Sequence, residues 1–296
     1  MATKAQQVAP PERASRPLGP LALSVPAFAP DVQQRLEEKV AILEQEHHRL
    51  HRALSDAAEM QRRLCPPRQL RVGRFEIASE MFPLSYLSGD FYDVLDLGRT
   101  TGLAVGDIIG KGVVAGLWFA HLIGLLRVRA RASADPAATV AAINHDLRQL
   151  KSEPPLVSLF YARLDPKRGE LVYCNAGQPP AVLLKKDGTA RPLAEGGPLL
   201  GAIPEATFAS GRVTLEPGDA LIAYSDGIVE CRNSRGEEFG LDGLLAASSR
   251  VTQSGTREAV SASTLLFSIL GAVQDFAGTH PREDDFALMV VRAPDK

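Results

Sequence analysis

LEPGDALIAYSDGIVECRNSRGEEFG, residues 215–240, decides how this chain folds. Glu216, Pro217, Gly218 and Asp219 form a turn signal, with proline and glycine where a chain reversal favours them. The apolar run Ala220–Ser225 behind it has the length of a buried strand and ends directly on Asp226 and Gly227. Three other segments repeat this arrangement of aspartate at a strand end: SGDFYD at 88–93, carrying Asp90 and Asp93; VGDIIGKG at 105–112, carrying Asp107; and Glu283, Asp284 and Asp285. Acidic residues set among glycines and apolar runs are poor candidates for solvated surface. Gathered together they repel, and they are costly to desolvate unless cations neutralise them. Oxygen-only donors of this kind suit hard divalent ions such as magnesium or manganese. The pattern therefore points to a metal-dependent hydrolase.

Working outward, the spacing predicts strands at Phe75–Met81, Phe91–Leu97 and Leu103–Asp107, the last two joined by a turn at Gly98–Gly102. Helical patterns cover Val113–Ala132 and Pro136–Leu150. Strands follow at Val157–Leu164, Leu171–Asn175, Ala181–Lys185 and Val213–Leu215, then helices at Leu241–Ser248 and Arg257–Phe276, and a last strand at Phe286–Arg292. Hairpins outnumber strand–helix alternations, which predicts an α+β fold of largely antiparallel sheets with helices packed outside.

The first 30 residues are rich in Pro, Ala and Ser and are expected to be disordered. Asp31 then opens a helix to Leu64, with Gln34 completing a capping-box-like pair. Leu36, Val40, Leu43, Leu50, Leu54 and Leu64 fall on a heptad seam, broken by His47, Ala57 and Gln61, and Pro66 and Pro67 end it. Two readings stand: a parallel two-stranded coiled coil that makes a homodimer, or an amphipathic helix folded onto its own catalytic domain. The expected domains are 1–30, the linker helix 31–68 and a catalytic domain 69–296.

Composition narrows the classes. Lys plus Arg number 33 against 35 Asp plus Glu, so the basic surplus of a broad nucleic-acid footprint is missing. The apolar stretch Val113–Val128 is broken by His121 and Arg127, so no membrane span is expected. Cys65, Cys174 and Cys231 are few and far apart, which fits reduced thiols in a cytoplasmic protein.

Hydrolysis of a phosphate ester needs an attacking oxygen and compensation of charge on the phosphoryl and leaving oxygens, which two closely spaced ions supply. One carboxylate must bridge the ions while others hold each from outside. Chemistry alone selects Asp107 and Asp226, since both end apolar strands; Gly227, directly after the second, would let the backbone approach an ion.

The segments SGDFYD, VGDIIGKG, NAGQPP (175–180), PLLGAIP (198–204), the 215–240 stretch and DDFALMVVR (284–292) occur here in one order. In that order they resemble the metal-dependent protein phosphatases related to protein phosphatase 2C, in the bacterial branch typified by SpoIIE and RsbU, from about Gln61 to Arg292. The resemblance implies a four-layer α-β-β-α sandwich preceded by a long helix. It implies that Asp107 bridges two Mn2+ or Mg2+ ions, that the Ile108 carbonyl and Asp90 serve one of them, and that Asp226 and Asp284 hold the other. A water activated by the ion pair, rather than a side chain, would attack phosphoserine or phosphothreonine on a regulatory protein, commonly an anti-sigma-factor antagonist of the STAS fold. Asp93 and Asp285 would have supporting or strand-end roles. Ser88, Ile109, Gln178 and Ala287 replace the glycine, serine, histidine and threonine usual at those places. They keep open a competing class, a phosphatase fold that binds a phosphoprotein without turning it over.

Other motifs carry less. Gly106 to Gly112 has one residue too few between its glycines for a nucleotide P-loop, and Gly112 stands where that loop needs Ser or Thr. Cys65 and Arg71 match the spacing of cysteine phosphatases, but Pro66 and Pro67 remove two of the N–H donors such a cradle needs. His47, His48 and His51 read as a solvated helix face, and Trp118 and Phe119 as core.

Overall fold

The computed structural model describes residues 30–149, 154–252 and 260–294. In chain order the elements are α1 (Pro30–Leu64), β1 (Gln69–Val72), β2 (Phe75–Phe82), β3 (Phe91–Asp96), β4 (Thr101–Ile108), α2 (Gly112–Ala132), α3 (Pro136–Arg148), β5 (Val157–Leu164), β6 (Glu170–Ala176), β7 (Ala181–Leu184), β8 (Ala190–Leu193), β9 (Gly196–Gly197), β10 (Gly211–Thr214), β11 (Ala220–Tyr224), α4 (Asp226–Val229), α5 (Gly240–Thr252), α6 (Ala262–Ala277) and β12 (Phe286–Arg292).

Two sheets form, ordered β1-β2-β12-β11-β7-β8 and β10-β6-β5-β4-β3, with β9 added beside β6. Every pairing is antiparallel except β6 with β9, so the α+β class expected from the hairpins holds. Helices α2 and α3 cover the second sheet, while α6, with α5 against it, covers the first. One apolar core fills the space between the sheets and under α2 and α3, with Phe91, Phe119, Phe160 and Tyr173 at its centre. The other lies between the first sheet and α5 and α6, around Ile222, Leu244, Leu265 and Leu288. Central strands are covered on both faces. This is why β11 and β12, buried at every position, read as unbroken apolar runs, while edge strand β10 alternates.

Helix ends follow local chemistry. The Asp135 carboxylate accepts the N–H groups of Ala137 and Ala138 at 3.3 and 3.2 Å, starting α3 at Pro136. Ser261 Oγ accepts the Thr264 N–H at 3.0 Å, so α6 starts at Ala262 rather than at the expected Arg257; residues 257–259, like Leu150 and residues 1–29 with their expected disorder, lie outside the described set. The sequence pattern misses β1, β8, β9 and α4, which are too short to show a period.

By internal contacts the chain divides into Met1–Leu50 and His51–Lys296. In the described part of the first unit, Leu36, Val40, Leu43 and Leu50 are 47–67% exposed, as an unpaired heptad seam would be. In the second unit the seam turns inward: Leu54 and Ala57 are half-buried, Gln61 is buried, and Leu64 packs against the core.

Helix α2 is long and apolar enough to cross a bilayer by length and composition alone, despite its His121 and Arg127, a test that a core helix also passes. Its inward face nevertheless belongs to the protein core through Phe119, Leu122, Ile123 and Leu126. Arg127 donates from Nε at 2.8 Å and from a terminal nitrogen at 3.1 Å to the two oxygens of Asp93 on β3. Burying Asp93 unpaired would cost several kcal/mol, and this two-pronged guanidinium contact offsets the cost.

Candidate metal centre

The two sheets meet at one end of the sandwich. The second sheet brings Asp107 near the end of β4, in register with Ser158 on β5, and Asp90 immediately before β3. The first sheet delivers Asp226 two residues beyond the last residue of β11. One carboxylate oxygen from each of Asp90, Asp107 and Asp226 lies within 4.8 Å of the others. Asp284 does not join this tight group. Its Oδ1 sits 3.2 Å from the Lys111 ammonium and accepts the Asp285 N–H at 2.9 Å.

Glycine permits the close approach. A Cβ on Gly89 would stand 2.7 Å from the Ile108 carbonyl oxygen and 3.1 Å from an Asp107 carboxylate oxygen, so the 88–90 loop can run against both only without a side chain. Gly227 permits a second close approach. A Cβ there would stand 2.1 Å from the Asp285 carbonyl, so the glycine makes room for the neighbouring backbone.

Charge is stored at this end of the molecule. Burial, then the neighbouring Asp226, pushes the Asp107 carboxyl up to about 6. Burial, then Asp107, holds Asp90 well above the usual carboxylate range, although a 2.5 Å hydrogen bond from Ser225 Oγ to Asp90 Oδ2 works the other way. Asp226 is raised too, by burial first, against the pull of the Gly227 N–H. Three crowded carboxyls that resist ionising form a donor set that a divalent cation completes. All the donors are oxygens, which fits Mg2+ or Mn2+ and disfavours softer ions.

Supporting residues stand out in the structure that the sequence marked weakly or not at all. Asp285 accepts the Leu84 N–H at 2.6 Å and the Gly89 N–H at 2.8 Å, fixing the loop that carries Asp90. Ser225 Oγ accepts the Ala287 N–H at 2.9 Å while donating to Asp90, tying β12 to the centre. A serine immediately before Asp226 was the available signal for this role. Asp93 is a structural anion bound by Arg127. Cys65 donates to the Gln61 carbonyl at 3.7 Å and is pushed up to about 11, mainly by burial, while Arg71 pairs with Glu76 at 2.5 Å; together they make no phosphate cradle.

The family model for Stage II sporulation protein E (SpoIIE) matches residues 98–294, more than half of the chain. The chain belongs to the SpoIIE family. Among curated proteins it is 26% identical over 239 residues to the phosphoserine phosphatase RsbU of Bacillus subtilis, covering 80% of this chain and 68% of RsbU. It is also 26% identical over 220 residues to Protein IcfG of Synechocystis sp., covering 65% of this chain but only 35% of IcfG, about a third of that protein's length. Among solved structures, the SiaA-PP2C domain of Pseudomonas aeruginosa shares the fold with a TM-score of 0.72 at 19% identity, over 83% of this chain and 98% of that one. The RsbU and RsbW domains of Rv1364c from Mycobacterium tuberculosis match with a TM-score of 0.63 at 27% identity, over 75% and 62%.

The four residues that the sequence set apart from the usual pattern sit in different surroundings in this SpoIIE-family chain. Gln178 Nε2 donates to the Tyr224 carbonyl at 2.9 Å, and its Oε1 accepts from Ser158 Oγ, so one side chain ties β5 to β11 beside the acidic group. Ala287 uses only its backbone, bonding Ser225 in both directions. Ser88 is fully buried, with its backbone held by Gln61. Ile109 is exposed, and its N–H donates to the Leu156 carbonyl at 2.9 Å.

Proposed function

We propose that this chain is a Mn2+- or Mg2+-dependent phosphatase that removes phosphate from phosphoserine or phosphothreonine on a regulatory protein, with a STAS-fold antagonist as the substrate class. The convergence of Asp90, Asp107 and Asp226, with their carboxyls all raised above the ordinary carboxylate range by burial and by neighbouring carboxylates, carries the reading. Asp107 would be shared by the two ions, with Asp90 and the Ile108 carbonyl holding one of them and Asp226 with Asp284 holding the other. When bound, the ions acidify a water and neutralise the phosphoryl oxygens. The chain's own residues set the geometry: Ser225 orients the Asp90 carboxylate, Asp285 pins Gly89, and Gln178 fixes the spacing of the two sheets.

The exposed Leu36, Val40, Leu43 and Leu50 support a homodimer built through α1, acting in the cytoplasm with 31–68 as linker and 69–296 as the catalytic domain. Starting the chain near residue 68 is expected to change both oligomeric state and activity. The decisive measurement is Mn2+-dependent release of phosphate from a phosphoserine peptide by the full chain. Asp107→Asn and Asp226→Asn are each expected to abolish it. Turnover that survives both substitutions or ignores chelation sinks the proposal, and folded protein that binds a phosphoprotein without turnover makes it a binding module.

A further inference from the structure

Lys111 immediately precedes α2, four residues after Asp107. Its ammonium donates to the Glu283 carbonyl at 2.8 Å and lies 3.2 Å from Asp284 Oδ1, spanning from the metal-binding turn to the turn before β12. It also acts on Asp226, pulling that carboxyl back towards its ordinary range. Both partners of the ion pair are half exposed, at 58% and 52%, so solvent screens the pair and the Asp284 side chain has room to turn.

An ammonium at this distance draws the carboxylate towards itself and neutralises part of its charge, and it repels any divalent ion placed beside it. We propose that Lys111 is an internal counter-ion that competes with the second divalent ion for Asp284, making that ion the weaker of the two. The proposal rests on the reading of Asp284 as a metal ligand. The ion held by Asp90 and Asp107 loads first, because among the described residues no ammonium or guanidinium pairs with their carboxylates. The second ion loads only by displacing Lys111 from Asp284. Lys111 is therefore a positioning residue, acting through Asp284 on how fully the centre is filled.

Calorimetric titration of the full chain with MnCl2 alone, at low ionic strength, tests this. The unaltered chain is expected to show a tighter and a weaker binding class. Lys111→Met should tighten the weaker class about three- to fivefold and leave the other within twofold, while Lys111→Arg should keep the weaker class weak. Asp284→Asn should remove the weaker class, and adding Lys111→Met to that background should then change nothing. A second readout is acetylation of Lys111 followed by mass spectrometry. It should accelerate several-fold when Mn2+ saturates the unaltered chain, and not in Asp284→Asn. The proposal falls if Lys111→Met leaves the weaker class unchanged or weakens it. It also falls if the effect persists in the Asp284→Asn background, which would mark a general field rather than competition, or if Mn2+ leaves acetylation unchanged. Full retention of both classes in Asp284→Asn would instead remove Asp284 from the ligand set and leave its contact with Lys111 as a surface ion pair.

Discussion

Gln61 and Ser88 hold each other by two reciprocal hydrogen bonds: the Gln61 amide donates to the Ser88 carbonyl at 2.8 Å, and the Ser88 N–H returns a bond to Gln61 Oε1 at 3.0 Å. Both residues are buried. The pair joins the last turn of α1 to the loop that carries Gly89 and Asp90. On the heptad pattern Gln61 is a polar flaw; in the fold it satisfies a backbone N–H and a C=O that would otherwise be stranded away from water.

Gln61→Leu keeps the bulk and removes both bonds. Two buried backbone groups then lack partners, and the expected loss is about 2 kcal/mol or more, read as a lower urea midpoint at unchanged slope. Mn2+ affinity should fall with it, since the loop behind Asp90 loses its anchor. Unchanged affinity would mean that Asp285 alone positions the loop.

Asp93 and Arg127 form the next link. Asp93 is 1% exposed and Arg127 33%, and the same guanidinium donates to the Leu64 carbonyl at 2.6 Å, gathering β3, α2 and the end of α1. Arg127→Met leaves a desolvated carboxylate unpaired and should cost about 3 kcal/mol. Pairing it with Asp93→Leu should recover part of that loss in thermal unfolding. The double variant should still bind as many Mn2+ ions as the unaltered chain, and a lost ion would place Asp93 in the metal centre after all.

The strands, the major helices and the acidic residues could be read from the sequence because their signals are local: apolar runs, turn residues, and aspartates where no solvated face explains them. Gln178 could not be assigned in that way, nor could the partners of Ser225 and Asp285. Each acts across the two sheets or between distant loops, as when Gln178 reaches the Tyr224 carbonyl, and no spacing along the chain encodes such a contact. The burial of Gln61 and the pairing of Asp284 with Lys111 were hidden for the same reason.

Ser225 tunes Asp90. Its hydroxyl is the hydrogen bond that favours the ionised form of a carboxyl otherwise raised by burial and by Asp107. Ser225→Ala should therefore raise the Asp90 carboxyl further and weaken Mn2+ binding near neutral pH by roughly tenfold, the effect of one charge-assisted hydrogen bond. The deficit should shrink as the pH is raised. A deficit independent of pH would assign Ser225 a purely structural role through its contact with Ala287.

The metal-free centre fixes the pH dependence of metal binding. Asp107 titrates near 6 in the fold against 3.8 when unfolded, so the native state holds the proton more tightly. For a raised acid the sign is set: metal-free stability falls as pH climbs from about 4 through about 6, by at most about 3 kcal/mol from this group, and stays low above. A divalent ion requires the deprotonated carboxylates and so expels those protons. Mn2+ affinity should rise with pH through about 6, and the stabilisation on adding Mn2+ should be larger at pH 7.5 than at pH 5. Titrations at pH 5.5 in two buffers of different ionisation enthalpy should show proton release per ion, with less at pH 8. Affinity that is flat or falls across this range would mean that Asp107 is already ionised in the metal-free fold.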